Sequence, residues 1–341
     1  MPDMPELSSR SCFLELSSTL RTLFISSFNF LKKFILKCVL FFLLLLGISF
    51  ILDYMIQEGL KTSNYREVTK WNEVIQGGID AKILIVGSSR ALVHFDCDYI
   101  QKVTGKTCYN LGFDGTTYPL QRLMLELYLN KNQKPEKIIW SVDYHSFSYA
   151  PDFYGFEQLV PYRDNTYIRK MLSMHETPDY QFHIPLFRYS YNPKMKVIGL
   201  YSFLGIYQKD PVLTNGYRKQ DKVWDGTFDE FRRSNPQGYY INIDQGVFND
   251  FLAFNKILHQ ESVITWVISP YFKEYQEMIL NRSEIGNRFE KAANQLRIHL
   301  MDYSNDPLSQ DKSNFYNSNH LNNQGIEQFM NVWLLGKSWT N

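Results

Sequence analysis

Two adjacent serines, Ser88 and Ser89, follow a short apolar run, 82–86, and a glycine, Gly87. A β-branched apolar run that ends at a glycine is typical of a buried strand followed by a turn. The serines are therefore expected at the carboxyl end of a strand, where open α/β sheets bind ligands. A serine in this position either caps the following helix or acts as a nucleophile, and the first N–H groups of that helix point toward any bound anion.

A histidine near the other end of the sequence, His320, favours the nucleophile. A hydroxyl is a weak nucleophile near neutral pH, and an imidazole within hydrogen-bond reach supplies the base that it needs. Ser89 and His320 can meet if the loop before the last helix lies at the same edge of the sheet. The N–H of Gly115, with no Cβ beside it, can approach a developing oxyanion together with the N–H of Ser89. Gly115 alternatively serves only a turn.

The elements that would position these residues come from an alternating pattern beyond residue 80. Apolar runs predict strands at 82–86, 107–111, 136–142, 263–269 and 298–303. Helical periodicity predicts helices at 90–103, 119–129, 247–259, 271–295 and 322–335. Strands separated by helices indicate an α/β domain with a mostly parallel sheet and three layers, over 81–341. The alternation stops over 146–240, which predicts an insertion.

Composition and charge exclude several classes of function. The 341 residues carry 36 basic and 35 acidic side chains, a net charge of +1, and no basic stripe, so nucleic acid is not expected as a partner. The four cysteines show no paired spacing, which argues against a metal site or a disulfide scaffold. A single bridge between Cys97 and Cys108 stays open, since a helix and the next strand need not bring the two together. No metal and no cofactor are expected.

The amino-terminal eighty residues predict a membrane anchor. Residues 34–53 are almost entirely apolar and long enough to cross a bilayer. The run 41–46 is apolar on every helical face, which disfavours a soluble core helix. Basic residues precede the span and acidic residues follow it, so 1–33 is predicted as a cytoplasmic leader, interfacial or disordered, and the domain as extracytoplasmic. A cleaved signal peptide is the alternative, but no small-residue cleavage site follows the span. Residues 54–80 are predicted as a polar stalk.

Three segments, 87–90, 110–117 and 315–322, together resemble the first, second and fifth blocks of the SGNH/GDSL hydrolases, in the family's order. The resemblance implies a flavodoxin-like α/β/α sandwich over roughly residues 81–145 and 245–340. It also implies that Ser89 is the nucleophile, Gly115 an oxyanion donor and His320 the base. An anchored domain of this type is similar to proteins that handle acyl groups on cell-envelope polymers, such as D-alanine transfer proteins of teichoic-acid loading and acetylation enzymes of exported polysaccharides.

The first departure from the family pattern is Asn317, which stands where the family usually has aspartate. An amide can orient an imidazole but does not stabilise the imidazolium as a carboxylate does. Ser89 and His320 therefore act either as a dyad oriented by Asn317, or with Asp306 or Asp311 from the same loop.

The second departure is that the third-block asparagine, an oxyanion donor, has no clear match after the third strand. His145 in this stretch can donate to an oxyanion, whereas a carboxylate at Asp143 would oppose one. Arg90 and Asp143 are predicted to bind substrate, although a salt bridge that packs the first helix is an equal alternative for Arg90. The remaining histidines (His94, His175, His183, His259, His299) lack ligand-like spacing and are predicted to be structural or solvated.

The insertion at 146–240 is rich in aromatic residues and is predicted to roof the catalytic cleft, or to pack on the membrane or a partner. Its aromatic side chains form either sugar-stacking platforms or a satellite core. They include Phe153, Tyr154, Phe156, Tyr162, Tyr167, Phe187, Tyr189, Tyr191, Tyr201, Tyr207 and Trp224.

The sequence thus predicts a single-pass protein of the inner (cytoplasmic) membrane with a periplasmic serine esterase or O-acyltransferase domain. Its expected partner is a glycan or acylated polymer whose acyl ester, an acetyl ester by preference, is cleaved or transferred. A membrane-bound acyltransferase is a further expected partner. The alternative is a catalytically inactive subunit with the same fold that binds glycan in polysaccharide export or modification.

Overall fold

The computed structural model describes residues 9–148, 158–173, 179–190, 192–206 and 213–335, with side chains from residue 30 onward except at 66, 67, 179 and 335. The chain divides into two compact units, residues 1–54 and residues 55–341. The helices are α1 (Ser9–Thr62), α2 (Arg66–Gln76), α3 (Ser89–His94), α4 (Cys97–Thr104), α5 (Tyr118–Lys131), α6 (Thr166–Ser173), α7 (Asp179–His183), α8 (Lys194–Phe203), α9 (Thr227–Ser234), α10 (Gln245–Leu258), α11 (Lys273–Glu277), α12 (Arg282–Leu296) and α13 (Asn323–Leu335).

The strands of the main sheet are parallel and follow the sequence-predicted runs closely. In chain order the strands are β1 (Ile83–Val86), β2 (Cys108–Asn110), β3 (Lys137–Ser141), β4 (Leu213–Thr214), β5 (Tyr217–Arg218), β6 (Val263–Ile268), β7 (His299–Asp302), β8 (Phe315–Asn317) and β9 (His320–Leu321). Five of them form one sheet in the order β2-β1-β3-β6-β7, every pair parallel. This order, 2-1-3-4-5 among the five, is that of flavodoxin-like doubly wound sheets.

The helices beside the sheet fall into two sets by their contacts. The first set is α2, α5, α10 and α12, in which α2 contacts α5, α5 contacts α10 and α10 contacts α12. The second set is α3, α4 and α13, in which α13 contacts both α3 and α4. β1 is buried along its whole length, which explains why its sequence is a continuous apolar run rather than an alternating one.

The apolar amino-terminal helix matches the predicted anchor in type but is longer. Within α1, residues Phe30–Thr62 have the length and composition of a membrane span, and the most apolar 18-residue window in this range has a mean hydropathy of 2.8. The predicted leader is helical from Ser9 onward, and residues 1–8 lie outside the described part. An N-terminal helix of this kind suits either a membrane span or a signal anchor.

The segment predicted as a stalk differs most from expectation. Unit two begins at residue 55, and α2 buries Val68, Trp71 and Val74 in the core. These three residues are spaced three apart and so face one side of the helix. Two polar residues between them, Lys70 and Asn72, hid this pattern in the sequence, because both are buried and hydrogen-bonded to backbone carbonyls. The stalk prediction is therefore wrong for α2.

Two helices predicted as continuous are each interrupted. The predicted helix 90–103 is split into α3 and α4 because Asp96 caps α4, accepting hydrogen bonds from the N–H groups of Asp98 and Tyr99. The predicted helix 271–295 is split into α11 and α12, and Ile279 in the break pairs with Tyr239. Both interruptions depend on tertiary contacts or capping that periodicity alone does not resolve.

The described part of the insertion consists largely of helices and a hairpin. Within 146–240 the described residues form α6 to α9 and the antiparallel hairpin of β4 and β5.

Cys97 and Cys108 form a disulfide, which joins the start of α4 to the start of β2.

Candidate active site

The turn after β1 separates the two serines into different roles. Gly87 has φ +151°, and a Cβ there would lie 2.8 Å from the carbonyl oxygen of Ser141, so only glycine fits. Ser88 is the N-cap of α3: its hydroxyl accepts from the N–H of Arg90 at 3.2 Å and donates to the carboxylate of Asp143. Ser89 is the first residue of the helix and is half-buried. Its hydroxyl is therefore available for another partner.

That partner is His320. The Ser89 hydroxyl lies 2.7 Å from His320 Nε2, although the two residues are 231 positions apart. His320 belongs to β9, which pairs with β8 in a hairpin just before α13. The hairpin is attached to the segment that follows β6, because the N–H of Phe272 donates to the carbonyl of Ser318 at 3.1 Å. The structure thus brings together the predicted nucleophile and the predicted base.

Asn317 fixes the tautomer of His320. Its Oδ1 accepts from the backbone N–H groups of Asn319 and His320 at 3.1 and 3.0 Å, so this atom is the oxygen and not the amide nitrogen. The same Oδ1 lies 2.9 Å from His320 Nδ1, which must therefore carry the proton. Nε2 is left unprotonated and accepts from Ser89, as a general base requires. Neither Asp306 nor Asp311 takes this place, since each caps the 3-10 turn that follows it.

The environment keeps the imidazole neutral. Burial lowers the pKa of His320 to about 3, and the nearby cations of Arg90, Arg218 and Lys222 also lower it, against the opposing effect of Asp114. The ring is consequently ready to accept a proton at neutral pH. The same environment makes the imidazolium unfavourable, so His320 is a weak base.

A cavity of ≈ 220 Å³ opens beside Ser89 and His320. Gly115 lines it with φ +64°, a left-handed conformation that glycine adopts without strain. The volume is below the usual range of about 300–1,000 Å³ for drug-sized ligands, and it suits a small acyl group. The other lining residues are Ser88, Arg90, Thr116, Thr117, Asp143, His145, Ser146, Tyr271, Tyr275 and Asn319.

The loop that carries Gly115 is held from two sides. Asn110 accepts from the N–H of Gly112 at 2.8 Å and donates to the carbonyl of Ala91 at 2.7 Å, which ties the loop to α3. From α2, the fully buried Lys70 donates to the carbonyl of Gly112 and lies 5.3 Å from the ring centroid of Phe113. The helix predicted as part of a stalk therefore supports the candidate oxyanion loop.

Arg90 and Asp143 form a buried ion pair at the floor of the cavity. Their Nε and Oδ1 atoms are 3.0 Å apart and the side chains are 4% and 7% exposed. The Arg90 guanidinium also donates to Ser269 and lies 3.1 Å from the ring centroid of Tyr271. This is the salt-bridge alternative for Arg90, and it neutralises the carboxylate that would oppose an oxyanion. Substrate binding by the two residues stays a prediction.

His145 lines the cavity, but its Nε2 faces other side chains. It lies 3.3 Å from the hydroxyls of both Tyr239 and Tyr275, and the ring stacks on Tyr239 with centroids 6.0 Å apart. Partial desolvation of the ring beside the cavity lowers its pKa, with Asp143 opposing. Its role as an oxyanion donor stays a prediction, and only Nδ1 is free of the tyrosine contacts.

His94, predicted to be structural or solvated, is a structural residue that supports the site. It is fully buried on α3; its Nε2 accepts from the N–H of Leu321 at 3.0 Å and its Nδ1 lies 2.8 Å from the Ser269 hydroxyl. Burial lowers its pKa well below the usual value, in keeping with a neutral ring. His94 therefore anchors the residue directly after His320. Its position five residues after Ser89 was the only signal in the sequence.

Among the described residues, the insertion reaches the site through its β4–β5 hairpin and through Tyr239, which contacts His145, whereas no described member of the predicted aromatic set lines the cavity. Arg218 on β5 pairs with Asp114 in the oxyanion loop at 2.6 Å, and Lys222 lies 5.2 Å from the ring centroid of Tyr316, which stacks on His320. Of the predicted aromatic residues, Tyr162 and Tyr189 are buried, whereas Tyr167, Phe187 and Tyr201 are exposed away from the cavity and Trp224 is half-buried. Phe153, Tyr154, Phe156, Tyr191 and Tyr207 lie outside the described residues.

Within the described residues, no group of three histidine, cysteine, aspartate or glutamate side chains is placed to hold a metal ion.

No protein-family model matches the chain, and no curated protein matches it. A solved structure from Streptococcus pneumonia, provisionally described as a platelet activating factor, aligns over 86% of this chain and 97% of its own length. The identity is 14% and the TM-score 0.33, so this similarity carries no argument about function.

Proposed function

We propose that this protein is a membrane-anchored serine esterase or O-acyltransferase of SGNH type, acting on an acyl ester, by preference acetyl, of a cell-envelope or exported glycan. The observation that carries the proposal is the hydrogen bond of 2.7 Å between the Ser89 hydroxyl and His320 Nε2, with Asn317 holding the opposite ring nitrogen in its protonated form. Nucleophile, base and orienting group are thus connected in one line beside a cavity sized for a small acyl group.

In the first step, Ser89 Oγ attacks the ester carbonyl carbon while His320 Nε2 takes the hydroxyl proton. The N–H groups of Ser89 and Gly115 stabilise the oxyanion, supported by Lys70 through the loop backbone. The leaving alcohol departs with the proton from Nε2, and the acyl group stays on Ser89. Water or a sugar hydroxyl then attacks this ester in the reverse sequence and restores the serine.

The proposed architecture is the flavodoxin-like three-layer α/β/α sandwich. It is supported by the parallel order β2-β1-β3-β6-β7 and by the two contact sets of helices. Right-handed crossovers would put α3, α4 and α13 on one face and α5, α10 and α12 on the other.

The proposed location of the domain is extracytoplasmic, with the amino terminus in the cytoplasm. Basic residues precede the apolar part of α1, which supports this orientation by the positive-inside rule. The Cys97–Cys108 disulfide supports it independently, because structural disulfides persist mainly in oxidising compartments. A membrane-bound acyltransferase that delivers the acyl group is the proposed protein partner.

A second candidate function is a catalytically inactive glycan-binding or assembly subunit of polysaccharide export or modification. The observation that favours it is the weakness of the base, since the pKa of His320 is lowered to about 3 and Asn317 offers no carboxylate. Protonation of a histidine in such surroundings is energetically unfavourable.

Hydrolysis of p-nitrophenyl acetate by the full-length protein in detergent separates the two candidates. If the protein is an enzyme, Ser89→Ala and His320→Ala should each lower kcat/KM by roughly 10³-fold or more, since the two side chains act as one unit. Ser234→Ala and His259→Ala are matched controls, because both residues are exposed and remote from the cavity. Equal rates in wild type, Ser89→Ala and His320→Ala would contradict the enzyme and favour the binding subunit.

A further inference from the structure

One wall of the cavity carries polar groups that the proposed chemistry does not use. Tyr275 and Asn319 both line this wall, and His145 lies at its exposed end. Tyr239 donates its hydroxyl hydrogen to the Tyr275 oxygen at 2.7 Å. Tyr275 therefore keeps its own O–H for His145 Nε2 or for a ligand. Burial raises the pKa of Tyr275 more than its hydrogen bonds lower it, so the phenol stays protonated.

Asn319 contributes a hydrogen-bond acceptor that has no donor in the described residues. Its Oδ1 is buried, and no side chain or backbone group of the described residues donates to it. A buried, unsatisfied carbonyl of this kind is unfavourable unless a ligand supplies the missing hydrogen bond. The residue directly precedes His320, and both line the same cavity. A hydroxyl bound by Asn319 would thus lie beside the base.

The end of this wall nearest to solvent consists of aromatic rings. The exposed ring of His145 and the half-buried ring of Tyr239 stack at an interplanar angle of 12°. Tyr271 and Tyr275 stack behind them at 18° with centroids 6.0 Å apart. Apolar faces of sugar rings pack against aromatic surfaces of this kind, whereas water gains nothing from them.

We propose that Asn319, Tyr275 and the stacked His145–Tyr239 pair form a subsite for an acyl-acceptor carbohydrate, which makes the protein a transferase in preference to a hydrolase. This inference rests on the proposed function, because it needs the acyl group on Ser89. A hydroxyl of the acceptor next to the attacking one donates to Asn319 Oδ1 and accepts from the O–H of Tyr275, while the sugar ring packs on His145 and Tyr239. A water molecule that attacks the acyl group has neither this second hydroxyl nor the ring, so it makes none of these contacts.

The transfer step balances within the site. The acceptor hydroxyl gives its proton to His320 Nε2 as its oxygen bonds to the acyl carbon. The bond from that carbon to Ser89 Oγ then breaks, and Ser89 Oγ takes the proton from Nε2. The products are the acylated sugar and the free serine, with no other reactant consumed.

The test measures how the acyl-enzyme partitions between two acceptors. Full-length protein in detergent is supplied with p-nitrophenyl acetate and methyl glucoside, and acetate and acetylated sugar are quantified. Because both products come from one intermediate, their ratio is independent of how fast Ser89 is acylated. Asn319→Ala and Tyr275→Phe should each lower the ratio of transfer to hydrolysis roughly three- to tenfold, the effect of one lost hydrogen bond. Asn249→Ala and Tyr240→Phe, exposed and outside the cavity, should leave it unchanged.

Propan-1-ol serves as an acceptor with a hydroxyl but no sugar ring, and the glucoside should be favoured over it by at least about threefold. Equal use of the two alcohols, or an unchanged ratio in both variants, would overturn the subsite. So would hydrolysis by the wild-type protein with no acetylated sugar formed, while leaving the esterase intact. Absence of any acetate release above the Ser89→Ala variant would instead refute the proposed function itself. Tyr275→Phe keeps the ring and so controls for folding defects in Asn319→Ala.

Discussion

Replacing Asn317 with aspartate tests how the orienting amide limits the base. The two backbone N–H groups that hold Oδ1 would donate to a carboxylate equally well, so the ring of His320 should keep its orientation. A negative charge would then lie about 2.9 Å from the protonated Nδ1. An opposite charge at this distance raises a histidine pKa by about 1–3 units. The pKa of His320 should therefore rise from about 3 to about 4–6.

The size of the rate effect follows from the same shift. Each pKa unit is about 1.4 kcal/mol of extra stability for the imidazolium. If about half of this is expressed in the transition state, the barrier falls by about 0.7–2 kcal/mol, and kcat/KM rises about 3- to 30-fold. In a serine protease, exchanging the triad aspartate for asparagine lowers turnover because the imidazole takes the wrong tautomer. The tautomer of His320 is already correct, so the added charge is expected to raise the rate.

The assay is the pH dependence of kcat/KM for p-nitrophenyl acetate. Activity needs the neutral imidazole, so it is lost as the pH falls through the pKa of His320. The wild-type protein should keep its activity down to about pH 3 or to acid unfolding, and Asn317→Asp should lose it about 1–3 pH units higher. Asn305→Asp is the matched control, since it adds the same charge at an exposed position in the loop that follows β7. The reasoning would be refuted if Asn317→Asp had a lower kcat/KM than the wild-type protein and lost its activity at the same acidic pH.

Three further predictions concern the groups that support the site. Arg90→Met should lower the free energy of unfolding by about 3–5 kcal/mol in urea, because Asp143 is left buried and unpaired, whereas Lys134→Met in an exposed pair should change it by less than about 1 kcal/mol. Equal effects of the two would contradict the buried pair. Lys70→Met should lower kcat/KM about tenfold by releasing Gly112, and a wild-type rate would show that α2 does not support the oxyanion loop. Reducing the Cys97–Cys108 disulfide should lower the free energy of unfolding by about 3 kcal/mol, and an unchanged urea midpoint after dithiothreitol would argue against the bond.

The parts of the fold that sequence analysis found are those set by local pattern. The central strands of the main sheet are buried on both faces, so each is a continuous apolar run that stands out between helices. The boundaries of the five strands agree with the predicted ranges to within one or two residues. Ser89 and His320 were assigned from short motifs, and their contact then required only that both lie at the carboxyl edge of this sheet.

The remaining features depend on contacts between distant segments. Lys70 has the sequence context of an ordinary surface residue, and its burial is explained by contacts made in the folded protein, among them its hydrogen bond to the Gly112 carbonyl. His94 has no motif of its own, because its function is to hold the backbone N–H of Leu321, 227 positions away. Asn319 has no sequence signal beyond its position next to His320, since its unsatisfied oxygen is a property of the folded cavity.

The most direct test of the central claim is to locate the covalent adduct of a serine-directed fluorophosphonate on the full-length protein by peptide mass spectrometry. The account predicts a single adduct on Ser89 that is absent in Ser89→Ala and strongly reduced in His320→Ala, while the capping residue Ser88 stays unmodified. An adduct on Ser88, or no adduct on the wild-type protein under conditions that label a control esterase, would contradict it.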